Sequence, residues 1–142
     1  MHVLFVCTGN ICRSPMAEAL AATRYAQPGG AVASAAPRGL PGRPASSAAQ
    51  RVMAEGGLDL AGHVSQDVFT AFTEAPDLIY CMTEGHRDRL RALRPEWSAR
   101  ILLLDPEGGS IDDPYGLDDD AYRRARDEIS QAVLIRSQEW TH

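Results

Sequence analysis

The chain has 142 residues, a hydrophobic fraction of 44% and a formal net charge of −5 at pH 7. That length suits one core, so we expect residues 1–142 to form a single domain. The negative charge disfavours nucleic acid as a partner. All 14 basic residues are arginine, which excludes any mechanism that needs a catalytic lysine. No apolar run reaches the ~18 residues of a membrane span, and no leader-like segment precedes the first predicted strand, which favours a cytoplasmic protein without membrane contact.

Apolar runs rich in β-formers alternate with helical patterns along the chain. The predicted strands cover residues 2–6, 31–35, 78–82 and 101–104. The predicted helices start after Ser14, cover residues 46–55, 66–72 and 83–93, and end with a segment capped by residues 118–120. The alternation predicts right-handed βαβ units and an α/β fold with a parallel sheet covered on both faces. Ligands of such sheets bind beyond the carboxyl ends of the strands.

A short loop with Cys7 at its start and Arg13 at its end joins the first strand to the first helix. We predict Ser14 as the helix N-cap and Pro15 as the first helical residue. Backbone N–H groups and the helix dipole then point into the loop, which suits a phosphate group. A helix N-terminus and an adjacent arginine favour a cysteine thiolate, and a guanidinium can bind two phosphate oxygens at once. The loop therefore predicts attack of Cys7 on phosphorus, through a phosphocysteine intermediate.

A leaving oxygen needs a proton, so the site also needs an acid. Two Asp-Pro pairs offer one, at Asp105 and at Asp113. Asp105 directly follows the fourth predicted strand, whereas Asp113 lies in the loop before the last helix. We predict Asp113 as the general acid, which later acts as base on the attacking water.

The remaining cysteines and histidines show no metal-ligand spacing, so we expect neither a metal nor another cofactor. Three cysteines form no disulfide framework. Cys81 lies in an apolar strand and is expected in the core. His86 and His142 are expected at the surface.

Residues 6–18, VCTGNICRSPMAE, together with Asp113-Pro114-Tyr115-Gly116, resemble the low-molecular-weight protein tyrosine phosphatase family. The likeness extends over nearly the whole chain, with a highly specific opening and a looser middle. It implies a three-layer α/β fold with a four-stranded parallel sheet in the order 2-1-3-4. It also implies a metal-independent enzyme that hydrolyses phosphotyrosine in phosphorylated protein substrates, and we expect it to be a monomer.

The resemblance assigns roles to single residues. It implies Cys7 as nucleophile, Arg13 as phosphate clamp and Asp113 as general acid. The residues expected to bind phosphate or substrate are Thr8, Gly9, Asn10, Ile11, Cys12, Ser14 and Tyr115. Within that set, Ser14 would hydrogen-bond the thiolate, Asn10 would hold the loop in its unusual shape and Cys12 would form a reversible disulfide with Cys7. His63 would brace the loop from behind.

Three alternatives stay open. The loop after the second strand has no aromatic residue, and the Asp-Pro-aromatic-Gly ending resembles bacterial protein arginine phosphatases, although that branch has threonine where this chain has Ile11. A thiol-coupled arsenate reductase shares the loop and a cysteine comparable to Cys81, but needs a further cysteine that residues 82–90 lack. A catalytically silent phospho-binding module is disfavoured because nucleophile, clamp and acid are all present.

Overall fold

The computed structural model describes residues 1–25, 31–37, 41–68, 71 and 75–140, and its centre is a four-stranded parallel sheet. The strands are β1 (His2–Val6), β2 (Ala31–Ala35), β3 (Leu78–Cys81) and β4 (Ile101–Leu103). Their order is β2-β1-β3-β4, which confirms the predicted topology. The register pairs Val6 with Ala35 on one side and with Cys81 on the other. The carboxyl ends of β1, β2 and β3 therefore lie side by side, directly below the loop that starts at Cys7.

Helices cover both faces of the sheet. The described helices are α1 (Arg13–Ala22), α2 (Ser47–Ala54), α3 (Glu84–Leu93) and α4 (Asp119–Arg136), with 3-10 turns at Pro95–Arg100 and Ser137–Trp140. Alternate residues of β1 point to opposite faces. Val3 and Phe5 pack into the core cluster that contains residues of α1, α2 and α4. Leu4 and Val6 pack into the cluster that contains Leu90 of α3. This arrangement confirms the three-layer α/β prediction.

Two local predictions are wrong. Helix α1 begins at Arg13, with Cys12 in the N-cap position and no capping side chain. Ser14 cannot serve as the cap because its hydroxyl bonds within the loop, as described below. The predicted helix over residues 66–72 is absent at its described positions, since Asp67 instead forms a parallel bridge with Ala36. Residues 69, 70 and 72 of that predicted helix lie outside the described residues, as does His142.

Trp140, for which the sequence suggests no role, packs the last described turn of the chain against the sheet. Its side chain is 1% exposed. The indole Nε1–H donates to Tyr80 Oη at 2.9 Å, and the ring packs edge-on against Phe5 and Tyr25. The last turn of the described chain thus supports β1 and β3, the two central strands that carry the loop.

Candidate active site

The loop from Cys7 to Arg13 is held by a buried asparagine with unusual backbone geometry. Asn10 has φ 57°, the one positive φ among the described non-glycine residues, and asparagine tolerates this left-handed region better than most residues. Its side chain is fully buried and bonds on both sides. Nδ2 donates to Ser14 Oγ at 2.9 Å, and Oδ1 accepts from Gln66 N at 3.0 Å. His63 Nε2 lies 2.7 Å from the Asn10 carbonyl oxygen.

Cys7 Sγ receives two donors from the start of α1. Ser14 Oγ lies 3.0 Å from the sulfur, and Ser14 N–H donates to it at 3.4 Å. Since Ser14 Oγ accepts from Asn10, its own hydroxyl proton is free to be donated to Cys7. Asn10 and Ser14 are fully buried beneath the loop and shape it from below, whereas Cys7 lines the cavity above.

Arg13 is a buried cation whose fork is only partly used by the protein. The residue is 3% exposed. NH1 donates to the carbonyl oxygen of Ile111 at 2.7 Å, and NH2 lies 3.5 Å from both Thr8 Oγ1 and Asp113 Oδ2. Nε has no hydrogen-bond partner among the described residues. A buried arginine with a free Nε and a loosely held NH2 has donors left for an anion.

The loop after β4 reaches the site through Ile111. The N–H of Ile111 donates to the carbonyl oxygen of Met82, at the end of β3, at 2.9 Å. Its own carbonyl accepts the Arg13 bond, so the loop crosses β3 and approaches β1. Asp113 follows two residues later, with its carboxylate near Arg13 and Oδ1 accepting from Tyr115 N at 3.1 Å. Asp105 instead folds onto its own turn, where Oδ1 accepts from Glu107 N at 2.9 Å.

These residues enclose one cavity of about 200 Å³ at the carboxyl edge of the sheet. Of the residues named from the sequence, it is lined by Cys7, Thr8, Gly9, Ile11, Cys12, Arg13, Asp113 and Tyr115. Tyr115 stands at the rim, 59% exposed. The sequence missed Arg43, which also lines the cavity. Only the position of Arg43 in the sequence could have indicated this role, because Arg43 lies in the loop that follows β2, at the same edge of the sheet as the site.

The other two thiols differ from Cys7 in their surroundings. Cys12 is 5% exposed, and burial raises its pKa although Tyr122 Oη and Ser46 Oγ lie 3.3 and 3.6 Å from its sulfur. Cys81 is fully buried in the core, as predicted, and burial raises its pKa to about 12. All three cysteines, which lie in described parts of the chain, are unbridged.

His86 is the second residue that the sequence missed, since the expectation of a surface histidine is wrong. Its ring is partly buried and Nε2 lies 2.7 Å from Thr8 Oγ1. Burial, and then the nearby Arg13 guanidinium, lower the pKa of His86 to about 4. The sequence indicates this place only indirectly. Thr83 caps α3 by accepting a hydrogen bond from His86 N, which puts His86 in the first turn of α3. Helix α3 follows β3, the strand next to β1, so its first turn lies near the loop that follows β1.

The described ranges contain neither a cluster of metal-ligating side chains nor a membrane-spanning helix. No group of three or more histidine, cysteine, aspartate or glutamate residues in the described ranges could hold a metal ion. None of the helices in those ranges is long and apolar enough to cross a membrane.

Comparison with known proteins matches residues 2–136 to the family model described as low molecular weight phosphotyrosine protein phosphatase. The chain is 36% identical to the low molecular weight protein-tyrosine-phosphatase Etp of Escherichia coli (strain K12), over 97% of this chain and 90% of that protein. It is also 36% identical to a protein-arginine-phosphatase of Geobacillus stearothermophilus, over 93% of this chain and 90% of that protein. The tyrosine phosphatase Wzb from Escherichia coli K30, solved with sulphate, superposes with a TM-score of 0.89 at 29% identity, covering 99% and 98% of the two chains.

Proposed function

The chain belongs to the low molecular weight phosphotyrosine protein phosphatase family, and from this premise we propose that it hydrolyses phosphotyrosine in proteins at the cavity between Cys7 and Asp113. One observation carries the proposal: Asp113 lines the same cavity as Cys7 and Arg13, although it lies far along the chain from the loop that holds those two residues. That cavity holds a nucleophile, a cation with unused donors and a carboxyl group, which are the groups that phosphoryl transfer needs.

In the first step the Cys7 thiolate attacks phosphorus, and the two Ser14 donors at the sulfur favour that thiolate. The S–P bond forms while the P–O bond to the tyrosine ring breaks. Asp113 gives its proton to the departing phenolate oxygen. Arg13 binds the equatorial phosphate oxygens through the donors that the protein leaves free, and stabilises their charge in the transition state.

In the second step water attacks the phosphorus of phosphocysteine, and the Asp113 carboxylate takes the proton from that water. The S–P bond breaks, the thiolate of Cys7 is regenerated and inorganic phosphate leaves. The carboxylate is 48% exposed at the cavity mouth, which supports access of both the ester oxygen and water to it.

Ile11 and Tyr115 support phosphotyrosine as the substrate. Ile11 fills the cavity wall beside the nucleophile, and Tyr115 offers an exposed ring at the rim against which a substrate ring can pack. The likeness to the Geobacillus stearothermophilus arginine phosphatase keeps phosphoarginine as the second candidate.

Parallel kinetics on one peptide carrying phosphotyrosine or phosphoarginine tests the substrate. We expect the wild type to prefer phosphotyrosine, and Ile11→Thr to shift the ratio of the two kcat/KM values toward phosphoarginine. Val64→Thr, a matched change at a residue that is 61% exposed, should leave the ratio unchanged. A wild-type preference for phosphoarginine would overturn the proposed substrate.

We further infer that the enzyme acts as a cytoplasmic monomer, with residues 1–142 as one domain and a phosphorylated protein as its partner. The nucleophile, the phosphate clamp and the general acid all come from this one chain, so the proposed site needs no residue from a second copy, which supports a monomer. Three unbridged cysteines support a reducing compartment.

A further inference from the structure

An imidazole on α3 contacts the substrate loop through a side chain that lines the cavity. His86 Nε2 lies 2.7 Å from Thr8 Oγ1. That hydroxyl oxygen in turn lies 3.5 Å from Arg13 NH2, which is itself 3.5 Å from Asp113 Oδ2. A continuous series of polar contacts therefore leads from α3 to the two charged groups of the site.

The position of His86 is fixed by the helix that carries it. Its backbone N–H donates to Thr83 Oγ1 at 3.2 Å, in the cap of α3. Helix α3 packs against β3 and β4 on the face opposite α1, with Leu90 fully buried. The imidazole thus approaches the loop from an element that is independent of the loop and of α1.

The hydrogen-bond partners of the His86 ring indicate which of its two nitrogens carries the proton. Nδ1 is buried and has no partner in the described residues. A proton on Nδ1 would be a buried donor without an acceptor, and the positive charge of Arg13 nearby disfavours a second proton on the ring. The neutral ring with its proton on Nε2 avoids both costs, so Nε2–H donates to Thr8 Oγ1.

We propose that His86 is a positioning residue: its Nε2–H orients the Thr8 hydroxyl, and Thr8 in turn sets the Arg13 guanidinium for the phosphate group. With one lone pair of Thr8 Oγ1 bound to His86, the other accepts from Arg13 NH2. NH2 is then held between Thr8 and Asp113, two residues that line the cavity. The proposal rests on the proposed phosphatase activity, because the clamp matters only when phosphate binds.

A double-mutant cycle tests whether His86 acts through Thr8. We expect His86→Leu to lower kcat/KM for p-nitrophenyl phosphate about tenfold, the value of one hydrogen bond to a group that binds the clamp. His86→Gln, whose amide nitrogen can replace Nε2, should restore most of the activity. In a Thr8→Val background, His86→Leu should cause little further loss. Asp88→Asn, an exposed change on the same helix, serves as the matched control and should behave as wild type.

Two kinetic outcomes would overturn the proposal: an equal loss from His86→Leu with and without the Thr8 hydroxyl, or a His86→Gln variant as impaired as His86→Leu.

Imidazole nitrogen NMR shifts at pH 7 provide a readout that does not need turnover. They should show a neutral His86 ring with its proton on Nε2, and an Nδ1–H or doubly protonated ring would refute the assignment. If the wild type hydrolyses no phosphate ester, the proposed function fails, whereas the NMR result still decides the His86–Thr8 contact.

Discussion

Replacing Arg13 by lysine keeps the positive charge of the cavity and removes the planar fork. In the structure NH1 is committed to the carbonyl oxygen of Ile111 at 2.7 Å, while Nε has no partner among the described residues and NH2 has only contacts of 3.5 Å. The three donors of a lysine ammonium all lie on one nitrogen, so they cannot reach that carbonyl and also bind two phosphate oxygens in the spread, planar geometry of the fork. Two charge-assisted hydrogen bonds are lost, each worth about 1.5–3 kcal/mol. Arg13→Lys should therefore lower kcat/KM by about 10²- to 10⁴-fold.

Steady-state kinetics with p-nitrophenyl phosphate measures this loss, and the inhibition constant of inorganic phosphate should rise in the same variant. Arg24→Lys is the matched control, because Arg24 is exposed just beyond the end of α1. Thermal unfolding shows whether the variant remains folded. A folded Arg13→Lys enzyme within tenfold of wild type would refute the reasoning, since charge alone would then suffice for the clamp.

Three further predictions concern the acid, the buried histidine and the end of the chain. Asp113→Asn should lower kcat on phosphotyrosine about 10²- to 10⁴-fold. The same variant should keep the burst of p-nitrophenol from p-nitrophenyl phosphate, because that leaving group needs no proton donor. Equal losses on both substrates in stopped-flow measurements would contradict the acid role of Asp113. Burial lowers the pKa of His86 from 6.5 to about 4, so the unfolded state binds the proton first and stability falls as pH drops through that window. Urea unfolding should show a loss of about 2 kcal/mol between about pH 8 and 5 that His86→Gln removes, and an unchanged pH dependence in that variant would contradict the shift. Trp140→Ala should lower the free energy of unfolding by about 3–5 kcal/mol. Trp140→Phe loses mainly the hydrogen bond to Tyr80 and should lower it by about 1 kcal/mol. Similar urea midpoints for the two variants would contradict the packing of Trp140 against the sheet.

The sequence predicts the sheet and the placement of the catalytic candidates because their signals are local. Each strand is a short apolar run, and parallel strands that alternate with helices bring their carboxyl ends to one edge. Cys7 directly follows β1, so its place at that edge follows from the topology. Asp105 directly follows a strand, whereas Asp113 lies in the loop before the last helix, which favours Asp113 as the acid. The structure places Asp113, not Asp105, at the cavity.

The wrong and missing predictions share a tertiary cause. Ser14 has the residue type of an N-cap, but Asn10 and Cys7 engage its hydroxyl, and no local preference reveals those partners. His86 lies 78 positions from Thr8, and Trp140 lies 60 positions from Tyr80. Contacts at such separations depend on how α3 and the end of the chain pack against the sheet. Helical propensity and hydrophobic periodicity carry no information about them.

The central claim, that phosphoryl transfer passes through Cys7, has a direct measurement. Asp113→Asn should accumulate the intermediate on p-nitrophenyl phosphate, because formation of phosphocysteine then needs no acid while its hydrolysis lacks the base. Rapid quenching followed by mass spectrometry of the fragment that contains residues 1–13 should show one added phosphoryl group on Cys7. The Cys7→Ala variant should show neither label nor turnover. Turnover without Cys7, or a phosphoryl group found on another residue, would contradict the account.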